Sequence, residues 1–486
     1  MSFTFLDIAV LVLYLAGVTA FGVWLGRRQK DARDYFLADR SMPWWAICFS
    51  VVATETSALT VISVPAAAFT GDFWMLQLAA GYMLGRVAVA AWLLPRYFDG
   101  ELETAYALLE RRFGGGTRRF ASVVFMVTRA FADAVRLFAT AIPIKLITGL
   151  PYTESILLTG VLTLGYTYWG GLRAVVWVDV VQLFLYVFAG VAALVTLNGL
   201  VDGGWSAMLA GADAAGKLTI IHAGEGFAST QWVLTGLLGG AFLSMASHGA
   251  DHLIVQRLLA APDLSGARKA LVLSGVGVFL QFALFLAVGA GLFVYYAGRA
   301  FATPDEVFPT FIVESLPPGV TGLVIAGILA AAMSTVGSSL NSLASATTYD
   351  LYAPFRRGAD AARLVVVGKR FTLLWAVVLV GGALLFQFVQ QGTPVVVVAL
   401  QIASFTYGGL LGGFFLALLS RRADGTDAVR GMAVAIVAMT SLWAAQQFGV
   451  MEKLIDPLWF SLVGSALTVL VGTASARLRV RAAARP

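Results

Sequence analysis

Apolar stretches of roughly 20 residues recur from one end of this chain to the other, each near the length a helix needs to cross a hydrocarbon core of about 30 Å. They lie at approximately 5–25, 44–69, 75–94, 121–146, 155–169, 172–200, 233–253, 271–295, 320–347, 371–388, 394–419, 429–443 and 459–471, about thirteen in all. Lipid cannot satisfy unpaired backbone groups, so a spanning chain is helical or a closed barrel, and runs this long without period-two alternation select helices. Only 12% of the residues are charged and 59% are hydrophobic, against about 25% charged in a soluble domain. That balance excludes an ordinary cytosolic enzyme. The expectation is an all-α integral membrane protein in which residues 1–486 form a single domain.

The basic residues sort by loop. One alternate set holds Arg27, Arg28, Lys30, Arg33 and Arg40; Arg111, Arg112, Arg118 and Arg119; Arg257, Arg268 and Lys269; Arg356, Arg357, Arg363, Lys369 and Arg370; Arg421, Arg422 and Arg430; and the tail from Arg477 to Arg485. The opposite loops at 202–225 and 300–318 are poor in cations and carry Asp305, Glu306 and Glu314. The positive-inside rule makes the first set cytoplasmic, with the N-terminus outside and the C-terminus inside a plasma (inner) membrane. The net charge of +6 then reports topology and not a nucleic-acid partner. The first run lacks a basic leader and is followed by cations, so it reads as a retained span and not a signal peptide. Cys48 alone cannot form an intrachain disulfide, and three histidines without ligand spacing make no zinc site. Gly114-Gly115-Gly116 lacks the lysine of a phosphate loop.

Two runs break the apolar pattern at mid-span: 44–69 contains Ala53-Thr54-Glu55-Thr56-Ser57, and 320–347 contains Ser334-Thr335 and Ser338-Ser339. Interrupted spans in corresponding places of two halves point to an inverted-repeat transporter with its site at the midplane. Hard cations take oxygen ligands, and freed carbonyls plus hydroxyls supply them without burying net charge. Ala53 and Thr56, with Ala331, Ser334 and Thr335, form such a set. The bland reading is small residues that only permit close helix contact.

A carboxylate at mid-membrane is costly and needs a partner. For Glu55 that partner is a cation, a proton, a substrate ammonium group or an arginine such as Arg86; Asp179 follows the same logic. Arg129, Asp133 and Arg136 share one helical face at spacings of four and three, where one carboxylate cannot neutralise two guanidinium groups. The surplus makes Arg136 a candidate anchor for a substrate carboxylate; the competing reading is a structural network of these residues with Glu55 or Asp179. His248 and His252 near Asp251 fit either a titrating gate or an interfacial hydrogen-bonding role.

Several strings together resemble the sodium:solute symporter family: Asp34-Tyr35-Phe36-Leu37 leading to Arg40-Ser41-Met42-Pro43-Trp44-Trp45; Ala53 to Ala58; Gly170-Gly171-Leu172-Arg173 with Trp177 and Asp179; Val255-Gln256-Arg257; Ala331 to Ser334 with Leu340-Asn341-Ser342; and Thr406-Tyr407-Gly408. The resemblance implies a LeuT-type five-plus-five inverted repeat of about thirteen helices. It has a peripheral first helix at 5–26, repeats at 43–200 and 232–420, and two further helices at 428–476. It implies sodium as the coupling ion, held by the Ala53, Thr56 and Ala331 carbonyls and the Ser334 and Thr335 hydroxyls. A second ion or coupling role falls on Glu55, Asp179 and Ser338, although Gly337 stands where one serine of that set would be. The implied substrate pocket comprises Ser57, Thr60, Gln77, Arg136, Asp251 and His252.

The expected function is sodium-coupled symport of a small solute bearing a carboxylate, an amino acid or organic acid, without bond chemistry and without an obligate protein partner. Two rivals stand beside it. One is a proton-coupled or uncoupled carrier in which Glu55 titrates. The other is a transporter-like membrane sensor, which needs an output domain that the short tail to Pro486 does not offer.

Overall fold

The computed structural model describes residues 4–28, 31–100, 102–356, 360–389 and 395–483, and its named elements are all helical. Lys30, Arg357 and Arg485 of the basic loops, and the first residue of the 394–419 run, lie outside the described residues. Among the described residues eight helices are long and apolar enough to cross a membrane, nine with one bent pair. With the shorter or more polar helices added, each apolar segment of the sequence has its rod.

Helix α1 (Phe5–Leu25) begins with a capping box: Asp7 N–H donates to Thr4 Oγ1 (3.3 Å) and Thr4 N–H to Asp7 Oδ2 (3.0 Å). Then comes the interrupted span, α2 (Trp44–Glu55) and α3 (Ala58–Thr70), bent by 60°. Thr56 (ψ 104°) and Ser57 (ψ 167°) between them are extended, so the α-helical ladder stops there. Helices α4 (Met75–Trp92) and α5 (Gly115–Thr148) follow. Helix α6 (Tyr152–Leu200) is two arms joined at Gly171, whose φ of 55° and ψ of −158° only glycine adopts readily. This divides the runs at 155–169 and 172–200 where the sequence divides them.

A π-helical turn (Thr235–Gly239) leads into α7 (Gly240–Gly249), and after a break at Ala250 and Asp251 the chain resumes as α8 (His252–Leu259). The remaining rods are α9 (Leu264–Tyr296), α10 (Val320–Ala346), α11 (Ala361–Val389), α12 (Val395–Leu419), α13 (Gly425–Gln447) and α14 (Phe460–Ala483).

One sequence expectation is corrected here. The run at 320–347 is not interrupted: α10 is a continuous helix, because Thr335, Ser338, Thr347 and Thr348 send their hydroxyl protons back to carbonyls four residues earlier and no backbone bond is given up. The second interrupted span is 235–259, where Asp251 caps α8 by accepting from Leu253 N–H (2.9 Å).

Helix α10 is the axis of the molecule. Of its most apolar stretch 89% is buried, against 11% for α1 at the rim. It packs on α6, α5 and α1, and the Asp7 carboxylate ties it to α1 by accepting from Gly319 and Gly322 N–H (2.8 Å each). Helix α4 meets the π turn and α7 through Gly81 and Gly85, where a Cβ would stand 2.3 and 2.2 Å from the carbonyls of Gly236 and Ala241.

The kink makes Gly171→Ala costly. We expect a loss of roughly 1–3 kcal/mol, read as a lower thermal unfolding midpoint in detergent. Gly199→Ala, in open space within the same helix, should leave the midpoint unchanged or raise it.

Candidate ion and substrate site

The break between α2 and α3 exposes carbonyls that a continuous helix would have used. Thr56 N–H still donates to Val52 O (3.1 Å), but the extended residues after it cannot serve the last carbonyls of α2. Helix α10 lies against them: Thr335 Oγ1 donates to Ala331 O (3.2 Å) and Thr54 O (3.4 Å), and Thr54 Oγ1 pairs with Ser338 Oγ (3.1 Å). Ala53, Thr56, Ala331, Ser334 and Thr335 are all buried. The two halves of the proposed ligand set are thus brought together.

The donor chemistry fits sodium. All five groups are neutral oxygens, the Ser334 proton is committed to Asp179 Oδ1 (2.6 Å) and the Thr335 proton to carbonyls, so lone pairs are left for a hard cation.

Asp179, wholly buried, accepts at Oδ2 from Ser50 (2.5 Å) and Thr54 (3.3 Å) and faces Arg257 Nη2 at 3.4 Å. Arg257 also donates to Ser50 Oγ (2.9 Å) and Leu253 O (2.7 Å) and contacts Ser338. Arg257 is therefore not the loop cation its sequence position suggested but a buried partner of Asp179. At Gly337 a Cβ would come within 2.5 Å of the Tyr166 hydroxyl, which donates to Met333 O (2.8 Å). Tyr166 fills the space a serine side chain would take.

Glu55 ends α2 with its side chain 22% exposed, against wholly buried Arg86, which it contacts, and with His248 Nε2 at 3.5 Å. Arg86 is steadied by Ser274 Oγ (3.1 Å). Glu55 pairs with an arginine, and its carboxylate stands beside the break and not inside the oxygen set.

The arginine surplus read from α5 is also corrected. Arg129 is neutralised by Asp251 (Nε to Oδ2, 3.0 Å), and Tyr407 bridges the two, accepting from Arg129 Nη2 (2.7 Å) and donating to Asp251 Oδ2 (2.6 Å). Asp133 takes Arg136 Nη1 (3.0 Å), Arg129 Nη1 (3.4 Å) and the Ser339 hydroxyl (2.6 Å). Two carboxylates serve two guanidinium groups, a balance invisible while Asp251 was distant in sequence. Among the described residues Arg136 keeps a single shared bond, and it is 21% exposed, so most of its donors are uncommitted there.

Of the other expected pocket residues, Ser57 and Thr60 flank the break, half-buried, with Thr60 N–H donating to Ser57 O (2.9 Å). Gln77 is occupied by the 218–232 loop, donating to Gln231 O (2.8 Å) and accepting from His222 N–H (3.4 Å). Asp251 and His252 do not present themselves to a substrate: Asp251 is filled by Arg129 and Tyr407, and buried His252 uses Nδ1 for Ala105 N–H (3.3 Å) and Nε2 for Ser345 Oγ (3.2 Å).

The model of the sodium:solute symporter family matches residues 35–452. The chain belongs to that family. It is 28% identical to the sodium/sialic acid symporter of Aliivibrio fischeri over 97% of this chain and 93% of that protein, and 28% to the one of Proteus mirabilis over 98% and 96%. The human sodium/iodide cotransporter is 27% identical over 90% of this chain and 69% of its own length. Among solved structures, the substrate-bound outward-open state of a Na+-coupled sialic acid symporter superposes with a TM-score of 0.88 at 28% identity, covering 98% of each chain. A nucleobase-cation-symport-1 family transporter in a closed conformation matches in fold, with a TM-score of 0.60 at 16% identity over 92% of this chain and 95% of that one. The all-α LeuT-type architecture and the sodium coupling expected from the sequence both stand.

In this symporter, sequence reasoning missed Arg257, Ser50, His248, Gln281 and Tyr407 as parts of the buried network. Thr56 Oγ1 donates to Gln281 Oε1 (2.8 Å), binding the break to α9. The available signal was arithmetic: each intramembrane carboxylate needed a cation, and Arg86, Arg257 and Arg129 were within the spans or at their ends. Arg257→Gln should cost roughly 3–5 kcal/mol by leaving Asp179 buried and unpaired. Unfolding in detergent should show Arg257→Gln with Asp179→Asn losing less than the two single variants together.

Proposed function

We propose that this symporter couples sodium to a small organic solute bearing a carboxylate, with Ala53, Thr56, Ala331, Ser334 and Thr335 as the sodium ligands and Arg136 as the substrate anchor. The observation that carries the reading is the neutral oxygen set between the broken α2–α3 span and α10, with Ser57 and Thr60 on the same break. Arg136 supports the carboxylate: its planar fork has one shared bond to Asp133 and room for a bidentate partner. The sialic acid relatives, and the human sodium-coupled monocarboxylate transporter at 25% identity, are named for acids.

In this reading sodium is the driving substrate and enters from outside, where the N-terminus lies; the C-terminus is cytoplasmic. The ion joins α2–α3 to α10 and favours the arrangement in which Ser57, Thr60 and Arg136 meet the solute. By linkage the solute raises sodium affinity by the same factor. Asp179 and Ser338 act as a coupling link and not as a second ion seat: Ser334 is shared between the sodium set and Asp179, and Asp179 holds Arg257 on α8. Occupancy at the first interrupted span is thereby transmitted to the second. One charge crossing 100 mV is worth about 2.3 kcal/mol and a tenfold gradient about 1.4 kcal/mol. A single ion therefore sustains a solute gradient on the order of a few hundred fold.

Two measurements test the assignment on purified protein. Sodium should raise the unfolding temperature of the wild type over potassium or choline, and Thr335→Ala should weaken apparent sodium affinity about tenfold or more, about 1.4 kcal/mol; equal responses to all cations would remove the site. In uptake assays over amino acids, organic acids and sugars, Arg136→Gln should raise KM for the carboxylate substrate while sodium-dependent stabilisation persists. An unchanged KM would return Arg136 to a purely structural role.

A further inference from the structure

Helix α11 opens at a groove of about 590 Å³ lined by Arg363, Arg370, Tyr352, Val366, Val367 and Phe371, on the face that carries the basic loops. Arg363 and Arg370 are both exposed, no carboxylate lines the groove, and neither guanidinium pairs with any other group among the described residues. Some exposed arginines on this protein find partners, as Arg299 does with Glu314 (2.7 Å) and Arg479 with Asp427 (2.9 Å), while Arg421 and Arg422 have no side-chain partner among the described residues. The two groove arginines are seven positions apart, two helical turns or about 10 Å along one face.

Between and beyond them the same face is an apolar track: Val366 is 51% exposed, Leu373 49%, Leu374 51% and Val377 65%. These side chains sit on a helix apolar enough to cross a membrane, so hydrocarbon covers them. Cations at the head of a hydrocarbon-covered stripe, beside a cavity with apolar walls, match one ligand chemistry: phosphate on long acyl chains.

We propose that this groove is a binding site for an anionic phospholipid of the leaflet bordering the basic loops, its phosphate held by Arg363 and Arg370 and its chains laid along Val366, Phe371, Leu374 and Val377. Free phosphate would use only the arginines; the track selects the lipid. Arg370 adjoins Lys369, whose ammonium lies 5.4–5.7 Å from the ring centroids of Tyr35, Tyr168 and Trp169.

The test is native mass spectrometry of the full chain in neutral detergent, titrated with phosphatidylglycerol, phosphatidylcholine or inorganic phosphate. The wild type should retain phosphatidylglycerol in preference to phosphatidylcholine, and inorganic phosphate should not compete at equal concentration. Arg363→Gln with Arg370→Gln should weaken the preferred binding about thirtyfold, equivalent to about 2 kcal/mol. Arg421→Gln with Arg422→Gln, removing the same charge from an exposed loop, should leave it unchanged. Equal loss in both pairs would mean diffuse attraction and overturn the site, and full competition by phosphate would overturn the lipid assignment. The wild-type preference stands independently of the variants, and its absence alone overturns the proposal.

Discussion

A helix interrupted inside a membrane leaves carbonyl groups that lipid cannot satisfy, and the rest of this structure is arranged around that fact. The extended Thr56 and Ser57 end the ladder of α2, and the freed oxygens face the hydroxyl-bearing side of α10. The most buried of the long apolar spans among the described residues is thus also the one that answers the break. Several of its own hydroxyls bond backwards to carbonyls four residues earlier, so α10 runs on as a continuous helix opposite the break in α2–α3.

The same low dielectric governs the charges. Four acids, three of them buried, pair with arginines around the two breaks among the described residues: Glu55 with Arg86, Asp179 with Arg257, Asp251 with Arg129 and Asp133 with Arg136. An unpaired member would be expensive, whereas a pair adds little net stability and specifies geometry. Each pair joins different rods except Asp133–Arg136, which lies on one helix. That exception leaves a guanidinium not needed to hold two rods together, and of the four it is the most exposed, at 21%.

Asp251 shows how one residue can serve a structural end that resembles a functional one. It caps α8 with one oxygen and receives Arg129 and Tyr407 with the other. The second interrupted span is therefore fastened to α5 and α12 at its break. The first break is tied through hydroxyls, Gln281 and the Glu55–Arg86 pair, each on a different neighbouring helix. Such fastening suits a carrier in which one break binds an ion while the other transmits the response.

Much was legible in the order of residues, because the signals were local. Spans follow from runs of apolar side chains, the bend of α2–α3 from polar residues at mid-run, and the division of α6 from Gly170-Gly171. What folding alone decided were pairings across long separations. Asp251 neutralises Arg129 across 122 positions and Arg257 faces Asp179 across 78, which turned an apparent surplus cation and a loop cation into buried partners. The location of the second break, at 250–251 and not in α10, was likewise settled in the folded bundle, where Asp251 caps α8 while it holds Arg129 and Tyr407. A one-dimensional pattern records how much charge and how many freed carbonyls must be satisfied; only the packed bundle determines which groups come close enough to satisfy them.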